Sequence, residues 1–245
     1  MENYLNIYCI PVTVALAIVL IWMLKGVIYR TLYSRFSAWL LNKLTGALDT
    51  TFMSHKKRLF KIVLDYKNRQ NRDLKILELG VGAAPNLKYV PDNSEITLLD
   101  PNPYFTKHAE ENVIEAKKRL KSVEWVQGVA ENIPSQSNTF DIVFCTLVLC
   151  TVVDVKKCLS EVHRVLKPGG MFLFIEHVAA EKNTWKRFLQ TFMDPVHYVL
   201  FDKCSVHRET ESFIRASSLK DIEIERFQSE LFSWIDPSIA GTATK

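Results

Sequence analysis

One segment narrows the possible folds more than any other: the short apolar run Lys75-Ile76-Leu77-Glu78-Leu79 leads directly into Gly80-Val81-Gly82-Ala83-Ala84. Glycine at 80 and 82 lets the chain turn tightly and bring its backbone close to a ligand, which a side chain at either position would obstruct. Downstream, apolar runs alternate with helical stretches, and strands are expected over residues 75–79, 95–99, 123–127, 141–146 and 171–176. Between the last two, Val155, Cys158, Leu159, Val162, Val165 and Leu166 mark one helical face, stopped by Lys167-Pro168-Gly169-Gly170. This alternation predicts an α/β fold with a doubly wound, mostly parallel sheet, whose ligand crevice lies at the carboxyl ends of the strands. Two late runs, 221–227 and 238–244, are expected to add an antiparallel hairpin at one sheet edge.

Two carboxylates sharpen the reading of the glycine loop. Glu78 lies two residues before the first glycine, where its charge favours a cationic ligand. Asp100 follows Gly80 by twenty residues and closes the second strand, where a carboxylate can accept hydrogen bonds from both ribose hydroxyls. A bound nucleoside is the favoured explanation. A dinucleotide loop would want a third glycine at position 85, where Pro85 stands, and its pyrophosphate would prefer fewer carboxylates nearby.

Composition removes other classes. At 245 residues with 48% hydrophobic and 24% charged side chains, the chain can bury one ordinary core, so wholesale disorder is excluded. A net charge of +4 is too mild to make nucleic acid the default partner. The cysteines, Cys9, Cys145, Cys150, Cys158 and Cys204, include no Cys-x-x-Cys and no histidine at zinc-finger spacing, so a reduced compartment and no structural metal are expected.

The amino terminus reads differently. Residues 3–24 hold no charged side chain, and 10–24 are almost wholly aliphatic apart from Pro11 and Thr13. About 20 helical residues cross a hydrocarbon core of roughly 30 Å, so the run can span a bilayer. A cleaved signal peptide is disfavoured, since Glu2 precedes the run and Met23-Leu24-Lys25 ends it. Lys25, Arg30, Arg35 and Lys43 follow, which by the positive-inside rule leaves the bulk of the chain in the cytosol. Over 29–48, Tyr33, Phe36, Trp39, Leu40 and Leu44 recur at helical spacing, as they would in a helix lying on the membrane or in one packing against the following domain. The expected layout is a membrane anchor over 1–28, an amphipathic helical linker over 29–70 and a catalytic domain over 71–245.

Glu78-Leu79-Gly80-Val81-Gly82 is the Glu-x-Gly-x-Gly pattern, and the region from Lys75 to about Glu176 resembles class I S-adenosylmethionine-dependent methyltransferases. The resemblance implies a seven-stranded Rossmann-like sheet with S-adenosylmethionine as cofactor. It implies that Glu78, Gly80, Val81, Gly82 and Ala84 surround the methionine end and that Asp100 and Pro101 lie at the ribose. The turn carrying Ala130 and Glu131 would flank the adenine, with Cys145 and Thr146 beside the cofactor. Two positions depart from the pattern: Ala84 stands where a third glycine is common, and Val129 stands where an acid is common, so Glu131 is expected to take over the adenine amino contact.

The uncharged amino-terminal run, Leu99-Asp100-Pro101-Asn102-Pro103, Cys145-Thr146-Leu147-Val148-Leu149-Cys150, Glu176-His177-Val178 and Arg208-Glu209-Thr210 are together similar to the membrane-anchored microsomal alkyl-thiol S-methyltransferases. That resemblance implies residence on the endoplasmic reticulum membrane or lipid droplets, a cytosolic catalytic domain and small lipophilic thiols as acceptors. The alternatives are methylation of a membrane lipid or quinone, and a membrane-anchored scaffold that keeps the fold without transfer.

His177 directly follows the fifth strand and is the candidate catalytic residue, able to orient or deprotonate an acceptor, against a purely structural role. Cys145 and Cys150 read as small core residues, while Cys204 sits near His207 and Arg208. Trp185, Phe188, Leu189, Phe192 and Met193 are expected to face the core, with an acceptor pocket as the sharper reading. The Lys56-Lys57-Arg58 and Lys117-Lys118-Arg119 runs read as solvated faces.

Overall fold

Strands β1 (Lys75–Leu79), β2 (Glu95–Asp100), β3 (Ser122–Gln127), β4 (Phe140–Thr146), β5 (Leu166–His177), β6 (Lys220–Phe227) and β7 (Ser238–Thr244) join in one sheet in the order β3-β2-β1-β4-β5-β7-β6. The computed structural model describes the backbone of residues 2–229 and 234–245, with side chains throughout except at 2–25, 29 and 30. Strands β1 to β5 pair in parallel, and β7 runs antiparallel between β5 and β6. The sequence expectation of an α/β sheet with a late antiparallel pair at one edge is met. Central strands of a parallel sheet are covered on both faces and so read as continuous apolar runs, and Ile142, Val143 and Phe144 of β4 are all buried.

The covering helices are α1 (Glu2–Gln70), α2 (Phe105–Lys117), α3 (Val155–Val165), α4 (Trp185–Leu200) and α5 (Thr210–Arg215). Alternate side chains of a strand point to opposite faces, so the sheet separates two cores. On one, Leu77, Val143 and Cys145 meet Val155, Leu159 and Val162 of α3; on the other, Ile76, Ile142 and Phe144 meet Phe52, Leu59, Phe60 and Val63 of α1. The Asp154 carboxylate caps α3 by accepting from the Lys157 N–H at 3.0 Å. Helix α3 ends at Val165, and Leu166 with Lys167-Pro168-Gly169-Gly170 belongs to β5 instead of a separate loop. Asp141, at the start of β4, fastens the end of α1 to the sheet by accepting from Arg72 Nη2 at 2.5 Å, the Lys75 N–H at 2.8 Å and Lys167 Nζ at 2.9 Å.

Helix α1 runs without a break across the border expected at residue 28. Its two faces answer the question left by the 29–48 pattern: Leu32, Phe36 and Trp39 are exposed, whereas Leu41, Leu44 and Leu48 turn toward the catalytic domain. The uncharged run at 3–24 lies outside the residues whose side chains are described. Among the described residues, no helix is long and apolar enough to cross a membrane.

Three expectations are corrected. The aromatic stripe of α4 enters neither core nor cavity: Trp185, Phe188 and Phe192 are 74%, 58% and 70% exposed, and the buried residues of α4 are Gln190 and His197. Lys56 is not a solvated charge but is buried at 2% exposure, because its position on α1 faces the sheet. Arg119 likewise reaches inward, donating to the carbonyls of Leu87 and Val90.

Candidate active site

The loop after β1 has three residues in the left-handed region: Gly80 at φ +63°, Gly82 at φ +54° and Ala84 at φ +57°. A Cβ on Gly80 would lie 2.4 Å from Val148 Cγ2, so packing requires glycine there. A Cβ on Gly82 would meet Phe105 Cε1 at 4.0 Å and nothing nearer, so the space above Gly82 is open. Ala84 holds its left-handed conformation in full burial, at a cost of about 1 kcal/mol that the surrounding apolar packing offsets.

Asp100 ends β2 against this loop. Its Oδ2 accepts from the Gly82 N–H at 3.0 Å and its Oδ1 from the Asn102 N–H at 2.8 Å. Burial pushes the Asp100 carboxyl up to about 6 even though both N–H groups favour its ionised form. Glu78 is more enclosed. Burial raises it to about 8, against the opposing pull of Asn86 and Lys56. Asn86 Nδ2 donates to Glu78 Oε1 at 2.8 Å and reaches Thr146 Oγ1 at 3.4 Å. Glu78 Oε2 and Asn86 Oδ1 are buried with no hydrogen-bond partner among the described residues.

The loops at the carboxyl ends of β1, β2, β4 and β5 open onto a cavity of about 450 Å³. Helix α1 covers it with Leu41, Leu44, Leu48 and Phe52, and the loop after β2 is fastened to α1 where Asn102 Nδ2 donates to the Ser34 carbonyl at 2.9 Å. Lys56 Nζ donates to Asp49 Oδ1 at 2.9 Å and Lys88 Nζ to Asp49 Oδ2 at 2.5 Å. Burial alone would raise the Asp49 carboxyl, but two ammonium groups outweigh it and hold it below its ordinary value. For Lys56, burial outweighs the opposing pull of Asp49 and Glu78 and holds the ammonium below the usual lysine value.

On the far wall, the buried Glu176 pins the loop after β4. Its Oε1 accepts from the Val148 N–H at 2.8 Å, the Leu149 N–H at 2.9 Å and the Cys145 thiol at 3.4 Å. Beside it, His177 Nε2 lies 2.8 Å from Cys204 Sγ, which lies 3.3 Å from Cys150 Sγ. Burial alone would lower the His177 imidazole, but the Cys204 sulfur and Glu176 outweigh it and hold it above its ordinary value. Burial alone would raise the Cys204 thiol, but Cys150 and His177 outweigh it and hold it well below the ordinary thiol value. Cys204 therefore partners His177 and Cys150, not His207 and Arg208 as its sequence neighbourhood suggested. The Arg208 guanidinium is occupied by the carbonyls of Leu149 and Val152.

Of the residues singled out in the sequence, Gly80, Val81, Gly82, Asp100, Pro101, Ala130, Glu131, Thr146 and His177 line this cavity. Glu78, Ala84 and Cys145 do not: Asn86 stands between Glu78 and the space, Ala84 packs into the core, and Cys145 turns to Glu176. Glu131 Oε1 is engaged by the Val153 N–H at 2.7 Å, so part of this carboxylate fixes the loop before α3. Sequence reading missed Asn86, Asp49, Lys56 and His197. Asn86, next to Pro85 in the turn that leaves the glycine loop, carried the one usable signal.

The open space over Gly82, the Asp100 carboxylate at its edge and the unpartnered oxygens of Glu78 and Asn86 behind it suit a cationic nucleoside with a diol, and S-adenosylmethionine has that form. Residues 77–174 match the family model described as a methyltransferase domain. The chain is 35% identical over 210 residues to thiol S-methyltransferase TMT1A of Homo sapiens, covering 84% of this chain and 85% of that protein. It is 31% identical over 220 residues to thiol S-methyltransferase TMT1B of Rattus norvegicus, covering 89% of each. The fold is shared with the carbon methyltransferase of CurJ, at a TM-score of 0.62 with 16% identity over 82% of this chain and 58% of that one. It is also shared with a putative methyltransferase of Bacillus halodurans, at a TM-score of 0.56 with 17% identity over 71% of this chain and 93% of that one. With the glycine cradle, the carboxylates of β1 and β2 and this similarity along most of its length, the chain belongs to the thiol S-methyltransferase family of S-adenosylmethionine-dependent methyltransferases.

Proposed function

We propose that this enzyme methylates small lipophilic thiols at the cytosolic face of the endoplasmic reticulum membrane, with lipid droplets as a second location. The observation that carries the reading is the shape of the cavity. About 450 Å³ must hold both cofactor and acceptor, and the cavity is roofed by the apolar side chains Leu41, Leu44, Leu48 and Phe52 of α1. A drug-sized cofactor takes up most of such a volume, leaving room for a small apolar acceptor. The relatives TMT1A and TMT1B, named as thiol S-methyltransferases, make sulfur the favoured nucleophile.

When bound, S-adenosylmethionine supplies a methyl group on a sulfonium, which needs no further activation by the protein. The chain's own residues therefore have to position and enclose. Asp100 and the open backbone at Gly82 hold the diol end and the loop, Asn86 relays the charge of Glu78, and α1 excludes water. The positive sulfonium beside the acceptor favours its thiolate over its thiol, and attack on a methyl group already activated by the cofactor needs no strong dedicated base.

The membrane part of the reading rests on the uncharged run at 3–24 together with exposed apolar side chains: Val27, Ile28, Leu32, Phe36 and Trp39 on α1, and Trp185, Phe188 and Phe192 on α4. Two experiments test the two halves. Turnover with a panel of alkyl thiols, phenols, amines and a demethylated quinone should favour the thiols, and faster methylation of the quinone would overturn that choice. A chain lacking residues 1–24 should leave carbonate-washed membranes while still binding cofactor, and full retention would refute the anchor.

A further inference from the structure

We propose that Cys150, His177 and Cys204 form a three-ligand zinc(II) site on the cavity floor, whose fourth position is open to the cavity and takes the sulfur of a thiolate. The identity of that fourth ligand rests on the thiol reading above, whereas the metal site stands on its own geometry. The three residues come from separate elements, the loop after β4, the end of β5 and the loop after α4, yet their donor atoms all lie within 4.8 Å of one another. All three are buried, at 0%, 2% and 6% exposure. Cysteine is not simply abundant here. Cys145 spends its thiol on Glu176 and Cys158 packs from α3 into the apolar core, while Cys150 and Cys204 turn to a common point with an imidazole.

The donor set selects the metal. Two thiolates and an imidazole are soft to intermediate ligands that suit zinc, and three protein ligands with one open position is the pattern of a reactive site, not of a closed structural one. Zinc–sulfur and zinc–nitrogen bonds of about 2.3 and 2.0 Å set tetrahedral donor separations of about 3.5 to 3.8 Å. The pairs at 2.8 and 3.3 Å are shorter, so entry of the ion spreads them by less than about 1 Å, within reach of side-chain rotation. His177 and Cys204 line the cavity and Cys150 does not, which turns the open position toward the space beneath the apolar roof. His197 also lines the cavity, with its ring edge-on to His177 at 6.1 Å and its Nδ1 buried without a partner among the described residues, and so stands beside that position.

As an acceptor coordinates, its S–H bond breaks, the proton passes to solvent and the sulfur lone pair forms the bond to zinc, with no change of oxidation state. Zinc with two thiolates and a neutral imidazole carries no net charge, so the added thiolate gives a single negative charge in a cavity that holds a cationic cofactor. This explains how an acceptor is kept as thiolate where the one cavity imidazole at the strand ends, His177, is already committed to sulfur.

The test is metal content and the cobalt(II) spectrum of the full-length protein in detergent, with no cofactor and no turnover. One zinc per chain is expected. Cobalt should give the intense ligand-field bands of a tetrahedral site with a sulfur-to-cobalt charge-transfer band, and 1-hexanethiol should shift them. Cys150→Ser and Cys204→Ser should each lower metal affinity by at least tenfold, and Cys158→Ser should leave it unchanged. If the serine variants do not fold, the wild-type charge-transfer band alone decides. Absence of stoichiometric metal after zinc or cobalt addition, a spectrum without a sulfur band, or a Cys150–Cys204 disulfide in protein kept under reductant would overturn the site. Bands unmoved by the thiol would overturn the open position. A thiol that shifts the bands but is never methylated would leave the site established and refute only the acceptor reading.

Discussion

Lys56 Nζ lies 2.9 Å from Asp49 Oδ1, two helical turns back on α1, and both side chains face the cavity from a helix that the sequence shows as an appendage to the catalytic domain. Removing one partner of a buried pair strands the other, which costs about 3 to 5 kcal/mol. Asp49→Ala should therefore lower stability by about 3 kcal/mol or more in urea unfolding, and Lys56→Met by less, because Asp49 keeps Lys88. Because the Asp49 carboxyl is held below its ordinary 3.8, the stability it adds is present above that value and is lost as pH falls through its folded-state value. An Asp49→Ala protein as stable as wild type at neutral pH would show that α1 is not coupled to the domain through this pair.

The two cofactor-loop glycines should separate by phenotype. Gly80→Ala places a Cβ 2.4 Å from Val148 Cγ2, and should destabilise the fold by about 2 kcal/mol or more. Gly82→Ala meets open space, so it should cost only about 1 kcal/mol of backbone strain while weakening cofactor binding at least tenfold. Thermal unfolding and calorimetry with S-adenosylmethionine check the pair, and equal effects on both readouts would refute the distinction.

Cofactor binding should release protons near neutrality. Glu78 is pushed up to about 8, so in the free enzyme it is largely protonated at pH 7. A cationic cofactor favours the carboxylate, so affinity should rise with pH toward about 8 and level off above it. The folded protein binds this proton more tightly than the unfolded chain, so ionising Glu78 lowers stability as pH rises from its ordinary 4.5 through 8. Glu78→Gln should accordingly flatten the affinity profile and leave the free protein more stable than wild type at about pH 8.5. Calorimetry in buffers of different ionisation enthalpy measures the proton release, and none at all would rule out Glu78 as its source.

Asp100→Asn keeps the shape of the β2 end but loses the charge that accepts from Gly82 and Asn102. Hydrogen bonds to a charged group contribute about 1.5 to 3 kcal/mol, so affinity for S-adenosylmethionine should fall by tenfold or well beyond. Circular dichroism should show the fold retained. Unchanged affinity would remove Asp100 from the site.

What the sequence determined by itself is what local pattern encodes. The alternation from Lys75 onward specified the parallel strands because a covered strand must be apolar on both faces, and the Gly80–Gly82 loop with Asp100 specified a nucleoside crevice because both lie at strand ends along the chain. Side chains that meet only through folding left no such trace. Lys56 in its Lys-Lys-Arg run looks solvated until α1 packs across the sheet, and α4's aromatics look like core until their helix is placed with that face outward. Cys150, His177 and Cys204 are 27 residues apart at each step, far outside any local spacing rule, and only the return of the chain to the carboxyl ends of β4 and β5 brings their donor atoms together. Periodicity reports the environment of an element along its own axis, whereas a site built from three loops is fixed by how the elements pack.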